Sequence, residues 1–364
     1  ITARMLPKTV KIEDERNNKS KHFHRRIIFV TIEIALIAAY LSYKHNIINR
    51  EQLSWLRRGK HDVLPRTYQQ NTSSLAEQLA MDVRILCWVM TTPNNHKTKA
   101  IHVRRTWGRR CNRLLFVTSQ ADEDLGETLV ISEVEDKYET IWAKTRLAFE
   151  QIYHKYGDDM DWFYKADDDT FAFIENMRYM LYPYSPEMPI YFGYNMKYDK
   201  DINQVYMSGG SGYVLSRESL RRFVESAIVN NTNCDIINNL QAEDVAMGQC
   251  LRAVGVSAGD SRDAHLKWRF YPFELFTALM TSYYTDDFWH FGYSYYNPRA
   301  CRDCLSSYPV GFHYISPEKM YFYDYFGYEF LRMQLDDEEV LPKKLSIDEV
   351  VIPKPDNIWD IVKI

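Results

Sequence analysis

The sequence lacks an excess of positive charge. Its 364 residues include 45 lysines and arginines against 49 aspartates and glutamates, so the formal net charge is −4 at pH 7. Proteins that hold polyanions need a basic surface to attract them. The charge balance therefore predicts that nucleic acid is not a partner of this chain.

Signals of other site types are also missing. The chain has no internal repeat, and its glycines do not follow the G-x-G-x-x-G spacing of a dinucleotide site. One C-x-x-C pair, Cys301 with Cys304, has no second pair nearby, which argues against zinc. The sequence therefore gives no support to a dinucleotide or structural zinc site.

The cysteine content is low but even. Six cysteines all follow residue 86, and an even set in a secreted or lumenal chain predicts disulfides. Several pairings are open to six cysteines. Order and proximity favour Cys87 with Cys111, Cys234 with Cys250, and Cys301 with Cys304.

Residues 27–43 form one long apolar run, which follows a basic cluster at residues 21–26. The run is near the minimum length for a membrane span, and the basic flank favours a cytosolic N-terminal side. Glu33 makes a span more costly, and a signal peptide or an amphipathic helix are the alternatives, although no A-x-A-like cleavage site follows. The pattern favours a type II membrane anchor.

These features predict five segments. We expect a cytosolic tail at 1–26, the anchor at 27–43, a polar stem at 44–82, a folded domain at 83–335 and a polar tail at 336–364. The stem has no sustained periodicity, and the tail is charged and contains prolines.

The pattern of the folded domain is one of strands that alternate with helices. Short apolar runs closed by polar residues predict strands, and an apolar 3.6-residue period predicts helices. Alternation of this kind indicates βαβ units, hence an α/β fold with a mainly parallel sheet. The predicted strands are 83–90, 114–118 and 161–166, and the predicted helices are 97–107 and 138–156.

Three carboxylates, Asp167, Asp168 and Asp169, come directly after the third predicted strand. Side chains at i and i+2 of an extended segment point the same way, so Asp167 and Asp169 can converge while Asp168 faces elsewhere. Oxygen ligands suit a hard divalent cation, which could neutralise a departing nucleotide diphosphate. The alternative is a solvated turn or helix cap.

Several motifs in this order resemble those of glycosyltransferase family 31, and in particular its core 1 β1,3-galactosyltransferase group. The similarity covers roughly residues 83–330. The motifs are RILCWVMT, HVRRTWGRRCN, WFYKADDDT, YMSGGSGYVLS, the Glu-Asp-Val of QAEDVAMGQC, AGDSRD and GFHYI.

The resemblance implies a GT-A type fold and a Golgi membrane protein whose catalytic domain is lumenal. It also implies inverting transfer of galactose, with Mn²⁺ as cofactor, from UDP-galactose to N-acetylgalactosamine on glycoprotein Ser or Thr. A homodimer is considered as the assembly. The alternatives are a family member with another donor or acceptor sugar, and a non-catalytic, chaperone-like relative.

The resemblance also implies roles for individual residues. Asp244 is the expected general base and Glu243 orients the site, although an acidic pair at a helix start is also a favourable dipole contact. The expected metal ligands are Asp167, Asp169 and His313. The expected donor contacts are Met90, Thr91, Arg104, Asp167, Asp168, Gly209 and Gly210, and the expected acceptor contacts are Trp289 and Tyr213.

Overall fold

The structure, a computed structural model, begins with a helix inside the segment predicted as stem. Leu79 of this helix is fully buried among aromatic side chains, so the helix packs on the folded unit. The predicted anchor lies outside the described residues, and within them no helix has the length and apolarity to cross a membrane. The described residues are 74–198, 201–228, 242–280, 288–296, 304–330 and 343–347.

Twelve strands occur in these described ranges, and most are short. They are β1 Ile85–Met90, β2 Arg113–Thr118, β3 Thr128–Val130, β4 Trp162–Asp167, β5 Phe171–Ala172, β6 Ile190–Phe192, β7 Asn195–Tyr198, β8 Asp201–Met207, β9 Tyr213–Ser216, β10 Ser257–Ala258, β11 Phe270–Tyr271 and β12 Gly311–Phe312.

The α-helices of the same ranges vary from one turn to four. They are α1 Ser74–Asp82, α2 Ile101–Arg105, α3 Ile141–Tyr156, α4 Ile174–Leu181, α5 Arg217–Arg222, α6 Glu243–Ala253, α7 Leu275–Leu279, α8 His290–Tyr293 and α9 Pro317–Tyr325. Single 3₁₀ or π turns fill several of the connections.

A seven-stranded sheet forms the centre of the fold, in the order β10-β6-β9-β4-β1-β2-β3. Strand β9 runs antiparallel to both of its neighbours, and the other pairs are parallel. The predicted α/β fold with a mainly parallel sheet is therefore confirmed.

Strand β1 shows why this sheet forms. Ile85, Cys87 and Val89 lie in one hydrophobic core, whereas Leu86 and Trp88 lie in a second core on the opposite face. A strand covered on both faces reads as a continuous apolar run, which is how the sequence reads here. Its neighbour β4 pairs with it in parallel so that Met90 lies opposite Asp167, and the loops after both strands leave the sheet at the same edge.

The predicted helix over residues 97–107 is broken into pieces. A π turn at His96–Ala100 precedes α2, and the backbone at Thr106 leaves helical geometry with φ −111° and ψ −114°. The Thr106 hydroxyl donates to the carbonyl of His102, and this kind of local bond competes with a regular helix end. The sequence pattern was right about helical character and wrong about continuity.

A second, three-stranded sheet has the order β11-β12-β5. Strand β12 pairs antiparallel with β5, which places Phe312 opposite Phe171 and Gly311 opposite Ala172. The chain from β12 onward therefore runs beside the turn that joins β4 to β5.

One predicted disulfide is confirmed within the described residues. Cys87 of β1 is bonded to Cys111, just before β2. Cys250 and Cys304 each take part in a disulfide bond as well. The predicted partners Cys234 and Cys301 lie outside the described residues, so these two pairings stay predictions.

Asp161 ties the starts of β1, β4 and α5 together. Its carboxylate accepts hydrogen bonds at 2.9 Å and 2.7 Å from the Arg84 guanidinium and at 2.7 Å from that of Arg217. Burial acts to raise the pKa of Asp161, but the bonds from Arg84 outweigh it and hold the pKa below its ordinary value.

We predict that Asp161→Asn lowers the free energy of unfolding by about 2 kcal/mol at neutral pH, because it weakens bonds to two charged partners. The folded-state pKa is lowered, so this stabilisation is complete above about pH 4 and disappears as the pH falls through the folded-state value. Urea denaturation across pH measures both effects. Asp158→Asn, at an exposed neighbour, is the control, and equal stability of the two variants would contradict the assignment.

Candidate active site

The turn after β4 carries the three aspartates, with Asp167 as the last residue of the strand. Thr170 fixes this turn, because its hydroxyl accepts a hydrogen bond from the Asp167 amide at 3.0 Å and donates to the Gly210 carbonyl at 2.7 Å. The same threonine therefore holds the aspartates against the Ser208–Gly212 loop.

His313 follows β12 and reaches this turn. Its Nε2 lies 3.3 Å from Oδ1 of Asp169, and ligand atoms of Asp167, Asp169 and His313 all lie within 4.8 Å of one another. The ring of Tyr314 stacks on His313 with centroids 3.8 Å apart. Two aspartates of one turn and a histidine from a distant part of the sequence thus converge on one point.

Gly210 lies directly against the histidine. A β-carbon at this position would come within 2.1 Å of His313 Nδ1. A residue with a side chain here would push the ring away, so the glycine is required by close packing and not by an unusual φ angle.

The donor set fits a divalent cation such as Mn²⁺. Two carboxylates and one imidazole are partly exposed and offer hard oxygen and borderline nitrogen ligands. Burial acts to raise the pKa of Asp169, but His313 and the Lys99 ammonium outweigh it and hold this pKa at about 2. Asp169 is therefore an anionic ligand throughout the neutral range.

Asp168 and Asp169 lie in a turn after β4 and not in an extended segment, so the i and i+2 argument does not apply to them, but Asp168 does have partners of its own. Its Oδ2 accepts hydrogen bonds from the Thr91 hydroxyl at 2.8 Å and from Asn95 Nδ2 at 2.9 Å. Asp168 thus joins the loop after β1 to the loop after β4, and the buried Thr91 belongs to this link. Burial raises the pKa of Asp168 above its ordinary value.

Glu243 and Asp244 open helix α6 on the other side of the aspartate turn. The backbone amide of Gly209 donates to Oδ2 of Asp244 at 3.0 Å, and that of Val245 donates to Oδ1 at 2.9 Å. Burial raises the pKa of Asp244, and it also raises that of Glu243. A half-buried carboxylate with a raised pKa is a stronger proton acceptor than one in water.

Lys165 connects the two acidic groups, and sequence reasoning missed it. Its side chain is 2% exposed, with Nζ at 2.6 Å from Oδ1 of Asp167 and 3.8 Å from Oε2 of Glu243. Burial acts to lower the pKa of Lys165, but these two carboxylates raise it above its ordinary value. The i, i+2 spacing of Lys165 and Asp167 on one strand was the available signal.

The prediction of Tyr213 as an acceptor contact needs correction. This side chain is fully buried, and its ring stacks on Phe149 in the core. Its hydroxyl donates to Oε1 of Glu243 at 2.6 Å. Tyr213 therefore supports the acidic pair from inside the protein and is not available to a substrate.

The other predicted substrate contacts differ in their surroundings. Met90 is partly exposed and lies beside Asp167 in the sheet register. Arg104, instead, donates to the backbone carbonyl of Asp124, on the next loop. Trp289 is 51% exposed and packs edge-on against Phe273.

Sequence reasoning also missed two exposed tyrosines near the cluster, Tyr314 and Tyr138. Phe273 contacts both Trp289 and Tyr314, so a row of rings leads from Trp289 to the one that stacks on His313. Tyr138 is 64% exposed, and its partial desolvation raises its pKa, with smaller contributions from the charges of Asp244 and Glu243. Neither tyrosine has a motif that would have identified it from sequence.

Comparison with known proteins agrees with this geometry. The sequence profile described as Fringe-like matches residues 81–284. The chain is 43% identical over 261 residues to a Xenopus laevis protein, which covers 70% of this chain and 69% of the relative. The chain belongs to the Fringe-like family. The resemblance to glycosyltransferase family 31 is thereby confirmed.

Relatives of this Fringe-like chain are named for sugar transfer or glycan synthesis. The Xenopus laevis protein is a glycoprotein-N-acetylgalactosamine 3-beta-galactosyltransferase 1. A Mus musculus beta-1,3-glucosyltransferase is 24% identical over 46% of this chain and 33% of its own length. A Homo sapiens chondroitin sulfate synthase 3 is 26% identical over 46% of this chain and 20% of its own length.

We predict that Lys165→Met lowers the free energy of unfolding of this Fringe-like protein by about 3 kcal/mol, because it leaves the buried carboxylate of Glu243 and the partly exposed one of Asp167 without their cation. Methionine keeps a similar length, so loss of charge is the main change. Chemical denaturation at neutral pH measures the effect, with Lys97→Met on the exposed surface as the matched control. Equal stability of the two variants would contradict the proposed network.

Proposed function

We propose that this chain is an inverting β1,3-galactosyltransferase that moves galactose from UDP-galactose to N-acetylgalactosamine on Ser or Thr of glycoproteins. The observation that carries the proposal is the convergence of Asp167, Asp169 and His313 beside the acidic start of α6. The 43% identity to a relative named for this donor and acceptor chemistry supports the choice of sugars.

Asp167, Asp169 and His313 would hold the divalent cation, taken here as Mn²⁺. When bound, such an ion supplies positive charge to the diphosphate that leaves with the nucleotide. Thr170 and Gly210 keep the three ligands in place, and the Asp168 link holds the two adjoining loops together. These residues act by position and do not take part in bond making.

Asp244 is the proposed general base. Inversion needs a carboxylate that removes the acceptor proton as the oxygen attacks the anomeric carbon from the face opposite the leaving group. The Gly209 and Val245 amides orient the Asp244 side chain, and burial makes it more basic. Glu243 is tied to Tyr213 and Lys165, so its proposed role is to orient this end of the site.

The substrate contacts remain proposals from the sequence. The donor would contact Met90 and the backbone of Gly209 and Gly210. The N-acetylgalactosamine ring would stack on Trp289, because its apolar face suits an aromatic side chain. A Golgi location, type II attachment through residues 27–43 and a homodimeric assembly likewise rest on sequence.

A donor and acceptor screen tests the proposed function. The protein is incubated with Mn²⁺, a panel of UDP-sugars and a glycopeptide that carries N-acetylgalactosamine, and the products are measured by mass spectrometry. We expect addition of one hexose from UDP-galactose. We also expect Asp244→Asn to reduce transfer at least a thousandfold while UDP binding is kept, because a base is needed for chemistry alone.

Other outcomes of the screen would assign a different function. Preferred use of another UDP-sugar or another acceptor would identify a family member with different specificity. UDP binding with no transfer from any donor would favour the chaperone-like alternative. Turnover by Asp244→Asn equal to that of the wild type would remove Asp244 from the mechanism.

A further inference from the structure

Lys99 is a cationic side chain at the rim of the aspartate cluster to which the mechanism above gives no role. Its Nζ lies 3.2 Å from Oδ2 of Asp169 and 3.5 Å from Oδ1 of Asp168. The side chain is still 37% exposed. The ammonium group is therefore fixed on the aspartate side and open to solvent on another.

The oxygen atoms involved show that Lys99 and a cation do not compete for one position. Oδ1 of Asp169 faces His313, whereas Lys99 approaches Oδ2 of the same carboxylate. An ammonium group has three donors, and contacts to two carboxylates leave one available. Lys99 can therefore keep its contact with Asp169 and still donate to a ligand in front of the cluster.

The charge around the cluster indicates that an anionic ligand would need a cationic side chain to bind there. Five carboxylates belong to this part of the site, and a diphosphate would add further negative charge to it. Among the described residues, two lysines contact these carboxylates, and Lys165 is buried between Asp167 and Glu243. Lys99 is the partly exposed one of the pair. The five carboxylates are those of Asp167, Asp168, Asp169, Glu243 and Asp244.

We propose that Lys99 binds the diphosphate group of the nucleotide-sugar donor, next to the cation site. A lysine contacts phosphate as a point charge with a charge-assisted hydrogen bond. The inference rests on the proposed function and adds to it a binding residue that holds the leaving group. The π turn His96–Ala100 carries Lys99, and the Asp168 contacts of Thr91 and Asn95 hold the preceding loop at the cluster.

Binding of UDP tests this proposal without measuring transfer. Isothermal titration gives the Kd of UDP at saturating Mn²⁺, and a separate titration gives the Kd of Mn²⁺ alone. For Lys99→Met we expect UDP to bind about tenfold more weakly, since one charge-assisted bond to phosphate is lost. Lys99→Arg keeps the charge and should stay within about threefold of the wild type. Lys97→Met, in the same turn but exposed, should not change either Kd.

The comparison of variants separates a phosphate contact from a structural role. Weaker Mn²⁺ binding by Lys99→Met, with UDP binding at saturating Mn²⁺ unchanged, would mean that Lys99 only orients Asp169 and would overturn the proposal. Equal losses of UDP affinity in Lys99→Met and Lys99→Arg would also overturn it. A wild type that does not bind UDP removes the proposed function as well, whereas UDP binding by Lys99→Met equal to that of the wild type removes this inference alone.

Discussion

The site depends on the antiparallel pairing of β12 with β5. This short ladder sets Phe312 opposite Phe171 and brings His313 to the aspartate turn from a distant part of the sequence. Backbone hydrogen bonds fix the ladder, while the buried Phe171 and Phe312 rings pack on Tyr323 of α9. Without this pairing the two aspartates would lie at the sheet edge with no third ligand beside them.

The remaining problem for such a site is repulsion between its carboxylates. Each buried or half-buried carboxylate pays a desolvation cost unless a cation or a hydrogen bond compensates it. The buried Lys165 compensates Asp167 and Glu243, and the partly exposed Lys99 compensates Asp168 and Asp169. Backbone amides at the start of α6 and in the Gly209 loop serve Asp244. The acidic cluster is therefore held in place before any cation or nucleotide binds.

The sequence pattern predicted the elements whose structure depends on neighbouring residues. The apolar runs of β1 and β4 and the 3.6-residue period of α3 follow from neighbouring residues, and the structure agrees with them. The predicted helix over residues 97–107 differs, since a π turn precedes α2 and the backbone leaves helical geometry at Thr106. The role of His313 came from the family resemblance, since no local period indicates a partner so far along the chain.

Long-range packing decided what the sequence could not. Tyr213 was an expected acceptor contact from the family resemblance, but β9 is a central strand and its side chains are buried on both faces. Lys165 lies in a motif whose chemistry was assigned to its aspartates alone, and Lys99 lies just before the HVRRTWGRRCN motif and had no assigned role. The importance of these two lysines depends on which carboxylates they contact, and those contacts are set by the three-dimensional fold.

Mn²⁺ affinity is the most direct measure of the central claim, that Asp167, Asp169 and His313 form one cation site. Electron paramagnetic resonance titration of the wild type, His313→Ala and His154→Ala, an exposed histidine on α3, compares a proposed ligand with a matched control. The account predicts that His313→Ala weakens Mn²⁺ binding at least tenfold and that His154→Ala leaves it unchanged. Equal Mn²⁺ affinity in all three proteins would contradict it.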